Sequence, residues 1–320
     1  MDNDFKNAST IASNTKSYIN EVLDRGDKIL VGVDTGYYEL NKTTSGFGKG
    51  DLIIIAARPS VGTTSFALNI TQNLLDNEKG VAIVSLEMSA EQMMLRLLSI
   101  KTTVPLKQLR VGNISPEVYK RIDDAIEEME YKKLFIHDQS LMNIDEICSK
   151  LRQLKSQTPE IELAVIDSLQ LIRSSSEKDV GEISSELKIL SQELEIPILV
   201  LSKLSSKLES RSNKRPMLSD IPASDLIEPY ADTILLIYRD DLYTYSEEKA
   251  RKKKAVANEK EFISRYVKKL EDEAEIIIAK QRNGSLGHIK LLFQQEFTRF
   301  IDRYTFGNIQ LVDTPVNIAN

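Results

Sequence analysis

The chain has 320 residues, of which 41% are hydrophobic and 28% charged, and its net charge is −6. This composition suits one large domain or slightly more, and the acidic balance excludes nucleic-acid binding through the overall charge of the molecule. The single cysteine, Cys148, excludes an intramolecular disulfide and a cysteine metal cluster, and we interpret it as a buried structural thiol.

Targeting signals are not evident in the sequence. The acidic, polar start "MDNDFKNAST" does not resemble a signal peptide. Apolar runs do not approach the length of about 18 residues that a membrane span needs. His137 and His288 lie far apart without metal-ligand spacing. We therefore expect a cytoplasmic protein that makes no use of a membrane.

The first predicted element is an amphipathic helix over residues 5–23, in which Ile11, Ile19 and Val22 recur at helical spacing. A glycine-containing connector follows it. This order is typical of an arm that packs on another subunit, although a helix folded onto its own domain fits the pattern as well.

From Asp51 onward, short apolar runs alternate with helical stretches, which predicts an α/β fold with a parallel sheet covered by helices on both faces. The last strands have no helices of ordinary length between them, so we expect antiparallel hairpins at the sheet edge. The predicted strands are Leu52–Ala56, Val81–Leu86, Lys133–Ile136, Leu163–Ile166, Pro197–Leu201, Thr233–Tyr238, Glu275–Ala279, His288–Phe293 and Phe297–Ile301. The predicted helices cover residues 65–76, 89–100, 115–131, 143–156 and 179–195.

The stretch from Tyr243 to Glu273 is rich in lysine, arginine and acidic residues and contains no glycine or proline. It predicts a charged helix or helical hairpin inserted between two strands. We interpret its charged surface as a solvated face in preference to a nucleic-acid patch.

The segment "IIIAARPSVGTTSFALN" resembles a phosphate-binding loop between a strand and a helix. Gly62 allows close backbone approach, and Thr64 occupies the position of a Mg²⁺-binding hydroxyl. Thr63, however, stands where a phosphate loop carries lysine, and Ala57 stands where it carries its first glycine. The loop alone is equally typical of an ordinary strand, turn and helix. The predicted phosphate-binding residues are Ser60, Val61, Gly62, Thr63, Thr64 and Ser65.

Two acidic residues at predicted strand ends support a nucleotide site. Glu87 follows the second strand, where a general base for water attack could lie, and Asp167 follows an apolar strand in "LAVIDSLQL", which is typical of a Mg²⁺ ligand. Each acid alone is more often a surface residue, but their order along the chain strengthens the prediction.

Several long motifs together resemble the C-terminal motor domain of the DnaB-type replicative DNA helicases, which has a RecA-like fold. The resemblance covers residues from about 5 to 302, and we expect the family's N-terminal primase-binding domain to be absent. It divides the chain into a linker helix and connector (1–30), a motor domain (31–302, with 243–273 as an insertion) and a tail (303–320). The motifs are "TGYYELNKTTSGFGKGDLIIIAARPSVGTTSFALNI", "VAIVSLEMSAEQMMLRLLS", "LAVIDSLQLI", "ISSELKILSQELEIPILVLSKL", "KRPMLSDI", "ADTILLIYRDD" and "IIIAKQRNGSLGHIKLLFQQEFTRF".

The resemblance implies hydrolysis of ATP with Mg²⁺ in a hexameric ring that moves on single-stranded DNA. It implies that Thr64 and Asp167 bind Mg²⁺ and that Glu87 is the catalytic base. It also implies that Lys280 and Arg282 reach the γ-phosphate of a neighbouring subunit.

The chain departs from the family at several functional positions. Besides Thr63, Lys203 replaces a γ-phosphate-sensing glutamine and is predicted to contact nucleotide, and Ser206 replaces an arginine. In the DNA-facing loop, Pro222 replaces an arginine and Asp225 a glycine, and beyond it Pro229 and Tyr230 replace a Gln-Asp pair. Because these changes lie at separate sites, we interpret them as natural degeneration and not as one engineered change at Thr63.

Three functions remain open from the sequence. The first is a working ATP-dependent DNA helicase with an unusual loop; we favour a DnaB-like helicase whose ATPase is weakened or lost and which binds single-stranded DNA weakly. The second is a non-motor nucleotide-binding or regulatory subunit that assembles with itself or with an active helicase paralogue. The third is a recombination-type or clock-type RecA-like ATPase, against which the "KQRNG" block and the linker helix argue.

Overall fold

The computed structural model describes residues 5–24, 30–173, 179–243 and 272–302. Nine strands form one sheet in the order β3-β2-β4-β5-β1-β6-β7-β8-β9. The strands from β3 to β6 run parallel, whereas β7, β8 and β9 add antiparallel pairs at one edge. The strands are Leu52–Ala57 (β1), Gly80–Ser85 (β2), Leu134–His137 (β3), Ile161–Asp167 (β4), Ile198–Lys203 (β5), Thr233–Arg239 (β6), Asp272–Gln281 (β7), Gly287–Gln294 (β8) and Arg299–Asp302 (β9).

Several helices begin at residues whose side chains cap the first turn. Ser89 and Gln92 form a reciprocal capping box at the start of one helix, and Asn143 and Glu146 form another. The α-helices are Ala8–Asp24 (α1), Tyr38–Thr44 (α2), Thr63–Asp76 (α3), Ala90–Thr102 (α4), Leu106–Val111 (α5), Pro116–Glu130 (α6), Ile144–Gln157 (α7), Val180–Leu194 (α8) and Ser224–Ile227 (α9).

The core consists of two apolar layers, one on each face of the sheet. All six residues of β1 are buried, and alternate side chains enter opposite layers. Ile53 and Ile55 pack in the layer with α3 and α4, whereas Leu52 and Ile54 pack in the layer with α7 and α8. Burial on both faces explains the near-continuous apolar strands in the sequence.

The predicted fold class, a mostly parallel sheet with an antiparallel edge, is confirmed. The nine predicted strands are present. The largest extension is in β7, which was predicted as Glu275–Ala279 and spans Asp272–Gln281. The last strand begins at Arg299 and not at the predicted Phe297, because Gln295–Phe297 form a 3₁₀ turn that ends at Thr298 in the left-handed region. The short helices α2, α5 and α9 were not predicted.

Some sequence predictions concern residues that the structure does not describe. The charged insertion lies mainly in residues 244–271 and the tail in 303–320, both outside the described residues. The amphipathic helix is present as α1, and its Ile11, Ile19 and Leu23 are 50%, 50% and 71% exposed. Cys148 is buried on α7, as predicted, and burial raises the pKa of its thiol to about 11. Among the described residues, no helix is long and apolar enough to cross a membrane.

Candidate nucleotide site

The phosphate loop joins β1 to α3 at the carboxyl ends of the parallel strands, the edge at which open α/β sheets bind ligands. Gly62 has φ +123°, and a Cβ there would lie 3.1 Å from Phe300 Cζ, so the position requires glycine. Of the predicted phosphate-binding residues, Ser60, Val61 and Gly62 lie in the loop, and Thr63, Thr64 and Ser65 form the first turn of α3.

An aromatic cluster supports the loop from the core side. The ring centres of Phe293 and Phe300 are 4.6 Å apart, and those of Phe300 and Phe66 of α3 are 5.2 Å apart. Asn69 of α3 donates to the carbonyl oxygen of Thr298 and accepts from the Phe300 amide, at 3.0 and 3.2 Å. The antiparallel edge therefore fixes the position of the helix whose N-terminus faces the site.

Thr64 and Asp167 meet at the strand ends, as the sequence predicted. The Thr64 hydroxyl donates to Asp167 Oδ2 at 2.8 Å, and Asp167 is only 3% exposed. Burial raises the pKa of the Asp167 carboxyl above its usual value. The hydrogen bond from Thr64 and the positive charges of Lys203 and Arg96 oppose this rise, whereas the charge of Glu87 adds to it.

This pair of oxygens suits Mg²⁺. The ion is usually held by one or two carboxylates together with waters and substrate phosphates, so a dedicated cage of acids is not required. The described residues contain no group of three or more His, Cys, Asp or Glu arranged to hold a metal. Thr64 and Asp167 are thus the residues that would hold Mg²⁺ here.

Glu87 and Lys203 form an ion pair at the carboxyl ends of the same parallel strands. Lys203 Nζ lies 2.8 Å from Glu87 Oε2, and the two side chains are 44% and 47% exposed. Glu87 follows β2 and Lys203 ends β5, while Asp167 ends β4, which lies between these two strands. The candidate base, the candidate metal ligand and a lysine therefore converge in space from distant parts of the sequence.

Lys280 and Arg282, at the end of β7, lie outside this cluster and contact the segment 228–232. Lys280 donates to the carbonyl oxygens of Glu228 and Ala231, the latter at 2.8 Å. Arg282 pairs with Asp232, at 2.9 Å between Nη1 and Oδ1. Burial lowers the pKa of Lys280, and the neighbouring charge of Arg282 lowers it further.

The register of the strands places these two cations at the amino ends of the parallel strands, whereas the phosphate loop lies at their carboxyl ends. Gln281 pairs with Thr233, which pairs with Ile53 near the start of β1, whereas the loop leaves β1 after Ala57. At about 3.3 Å per residue, the four residues from Ile53 to Ala57 separate these two ends of the strand by roughly 13 Å. Neither cation is therefore positioned to serve the phosphate loop of its own chain.

Three residues near the site were not predicted from the sequence. Arg96 of α4 lies 3.5 Å from the Ser65 hydroxyl, and its positive charge opposes the rise in the pKa of Asp167. Gln170 donates to the Ser202 hydroxyl at 2.8 Å and accepts from the Lys203 amide at 3.1 Å. Arg239 is 2% exposed and has its guanidinium 4.2 Å from the centre of the Phe293 ring. Single polar residues of this kind carry no periodic signal, so only the fold reveals them.

The chain is similar in sequence to one family of DNA helicases. The family model described as "DnaB-like helicase C terminal domain" matches residues 32–302. The Replicative DNA helicase DnaB of Helicobacter pylori strain 26695 is 40% identical over 316 residues, which cover 93% of this chain and 65% of that protein. The Geobacillus stearothermophilus protein of the same name is 40% identical over 305 residues, covering 93% and 62%. The chain thus spans somewhat less than two thirds of the length of these relatives.

Solved structures show the same relationship. One that is described as an ATPase domain superposes with a TM-score of 0.78 at 30% identity, covering 93% of this chain and 99% of that one. A DnaB-like replicative helicase, described with its interactions with primase, gives 0.76 at 30% identity, covering 94% and 68%. A KaiC-like protein from Pyrococcus horikoshii, at 15% identity and a TM-score of 0.54, shares the fold over 85% of this chain and 98% of its own. On the family match, which covers most of its length, the chain belongs to the DnaB-like helicase C-terminal domain family.

Proposed function

We propose that this chain is the motor domain of a DnaB-like replicative helicase that binds ATP with Mg²⁺ but hydrolyses it slowly. One observation carries the proposal: the Thr64 hydroxyl lies 2.8 Å from Asp167 at the phosphate loop, while the residue before Thr64 is the uncharged Thr63. The metal-binding half of the site is retained, and the charge that the loop would bring to the phosphates is missing.

The residues of the site divide the chemistry among them. The amides of residues 60–65 and the N-terminus of α3 would bind the phosphates. Bound Mg²⁺, held by Thr64 and Asp167, would neutralise charge on the phosphate oxygens. Glu87 would orient the attacking water and accept its proton. Lys280 and Arg282, which lie at the far edge of the sheet, would act on the site of an adjacent subunit.

The missing lysine affects the reaction more than it affects binding. Removal of one preorganised positive group that stabilises the charge of the transition state costs a factor of about 10²–10³, or roughly 3–4 kcal/mol. The amide cradle and the helix dipole remain, so nucleotide binding is weakened but persists.

A nucleotide titration tests this proposal. Fluorescent ADP should bind the unaltered chain weakly in the presence of Mg²⁺, and Thr63→Lys should bind it more tightly because the charge of the loop is restored. Thr63→Val, which keeps the shape of the side chain and adds no charge, is the matched control and should leave the affinity close to that of the unaltered chain. If neither the unaltered chain nor Thr63→Lys binds nucleotide, the proposal is wrong.

A second candidate function, a non-motor subunit that assembles with itself or with an active paralogue, is favoured by helix α1. Its Ile11, Ile19 and Leu23 are at least half exposed, and such apolar side chains can stabilise assembly when buried on a neighbour. Light scattering on the full chain and on a chain without residues 1–24 tests this role. Assembly of the full chain but not of the truncated chain would show that α1 drives the association that this role needs, and monomers from both chains at high concentration would contradict the role.

A further inference from the structure

The turn between β7 and β8 contains an asparagine followed directly by a glycine, Asn283 and Gly284, and this pair occurs nowhere else in the chain. Both residues are exposed. In such a pair the backbone nitrogen of the glycine can attack the side-chain amide of the asparagine, because glycine has no Cβ to hinder the approach. The turn thus brings together the two groups that an intrinsic backbone reaction needs.

The two reacting groups are not restrained by hydrogen bonds. Among the residues that the structure describes, none forms a hydrogen bond with the Asn283 side chain or with the Gly284 amide. Asn213 is also exposed, but its Oδ1 accepts from the Arg215 amide at 3.0 Å, and the next residue, Lys214, carries a Cβ. Rotation of the side-chain amide toward the backbone therefore breaks a hydrogen bond at Asn213 and none at Asn283.

We propose that Asn283 is a site of spontaneous deamidation. The Gly284 nitrogen forms a bond to Asn283 Cγ, and the side-chain nitrogen leaves as ammonia after it takes up the proton of the Gly284 nitrogen. The product is a succinimide ring. Water from the solvent then adds to one of the ring carbonyls and breaks its bond to nitrogen, which leaves aspartate or isoaspartate with a new carboxylate. The reaction consumes water and needs no oxidant or reductant.

The new carboxylate lies one residue from Arg282, which pairs with Asp232 at 2.9 Å and whose side chain is 44% exposed. The carboxylate competes with Asp232 for the guanidinium group, and its negative charge opposes the approach of a phosphate. This consequence rests on the proposed function, in which Lys280 and Arg282 act on the site of an adjacent subunit. The modification itself does not depend on that function.

Isoaspartate has a second effect, because it lengthens the main chain by one carbon atom. The turn has little spare room at this point: a Cβ added at Gly284 would overlap Gln281 Nε2, which donates to the Thr43 carbonyl oxygen at 3.2 Å. We therefore expect the longer main chain to displace the Gln281 side chain and to break this contact between β7 and α2.

Peptide mass spectrometry tests the modification after incubation of the full chain at neutral and alkaline pH. Cleavage after glutamate releases residues 276–296, in which Asn283 is the only asparagine, and residues 210–228, in which Asn213 is the only one. The first peptide should gain one mass unit about tenfold faster than the second, equivalent to about 1.4 kcal/mol in the barrier. Its rate should rise with pH, because the attacking nitrogen reacts as its anion, and isoaspartyl methyltransferase should label it.

Asn283→Gln is the matched control, since its longer side chain would have to close a larger ring and should leave the mass unchanged over the same period. Asn283→Asp carries the charge of one product from the start. When it is added to Thr63→Lys, it should lower ATP turnover, whereas Asn213→Asp should not.

If the peptide 276–296 gains mass no faster than the peptide 210–228, the turn protects Asn283 and the proposal is refuted. If Asn283→Asp leaves the turnover of Thr63→Lys unchanged, the proposed effect on Arg282 is wrong. The mass measurements involve no nucleotide, so failure of the modification leaves the proposed function intact, and failure of the proposed function leaves the modification intact.

Discussion

The buried carboxylate of Asp232 should make some of the most important polar interactions for stability. Asp232 follows α9 and accepts hydrogen bonds from the Leu52 amide at 2.8 Å and from Lys188 Nζ at 2.6 Å, and it also pairs with Arg282. This carboxylate therefore joins the start of β1, helix α8 and the end of β7. Asp232→Asn keeps the size and an acceptor for the amide but removes the charge.

The cost of this change follows from what it leaves behind. Loss of one partner from a buried ion pair typically costs about 3–5 kcal/mol, because the remaining charge is desolvated without compensation. Lys188 is 13% exposed and keeps a hydrogen bond to the Gly50 carbonyl oxygen at 2.7 Å. We therefore expect the lower end of that range, about 3 kcal/mol in the free energy of unfolding.

Urea unfolding followed by far-UV circular dichroism measures this cost, since the chain contains no tryptophan for fluorescence. Glu160→Gln, which removes an exposed pair with Lys133, is the control and should leave the urea midpoint nearly unchanged, because water solvates both charges. Lys188→Met combined with Asp232→Asn should recover part of the loss, because no unpaired lysine remains. If Asp232→Asn and the control lower the free energy of unfolding equally, the buried carboxylate contributes no more to stability than an exposed ion pair, and the prediction is wrong.

Two further predictions concern the phosphate loop and the segment that contains Pro222 and Asp225. Gly62→Ala should destabilise the chain by about 1–3 kcal/mol and weaken nucleotide binding, since φ is +123° and the new Cβ would crowd Phe300; an unchanged urea midpoint would contradict this. The chain should bind a labelled single-stranded oligonucleotide weakly, because Pro222 carries no charge and Asp225 is exposed and negative; tight binding with a steep salt dependence would show that other residues supply the contact.

The sequence predicted the sheet well because strands such as β1, β2 and β6 are buried on both faces and appear in the sequence as apolar runs. It also predicted the meeting of Thr64 and Asp167, since residues at the carboxyl ends of parallel strands share one edge. Helix α5, with six residues and no fully buried side chain, offered too little periodicity to be recognised.

The partners of individual side chains could not be predicted in the same way. The sequence marked Lys203 and Glu87 as site residues, but their pairing depends on the strand order, which places β4 between β2 and β5. The contact of Asp232 with Lys188 likewise depends on the packing of α8, and its pair with Arg282 depends on the register of β6 and β7. Patterns along the chain indicate which face a residue occupies, and tertiary packing determines what it contacts.

The proposed function requires a site that binds nucleotide but hydrolyses ATP slowly, because the loop lacks its lysine. The most direct measurement is steady-state ATP turnover with Mg²⁺, with and without single-stranded DNA, for the unaltered chain and for Thr63→Lys. We expect turnover by the unaltered chain to be slower than in Thr63→Lys by a factor of about 10²–10³. If DNA-stimulated turnover by the unaltered chain is as fast as that of Thr63→Lys, the uncharged Thr63 does not slow hydrolysis and the proposed function is wrong.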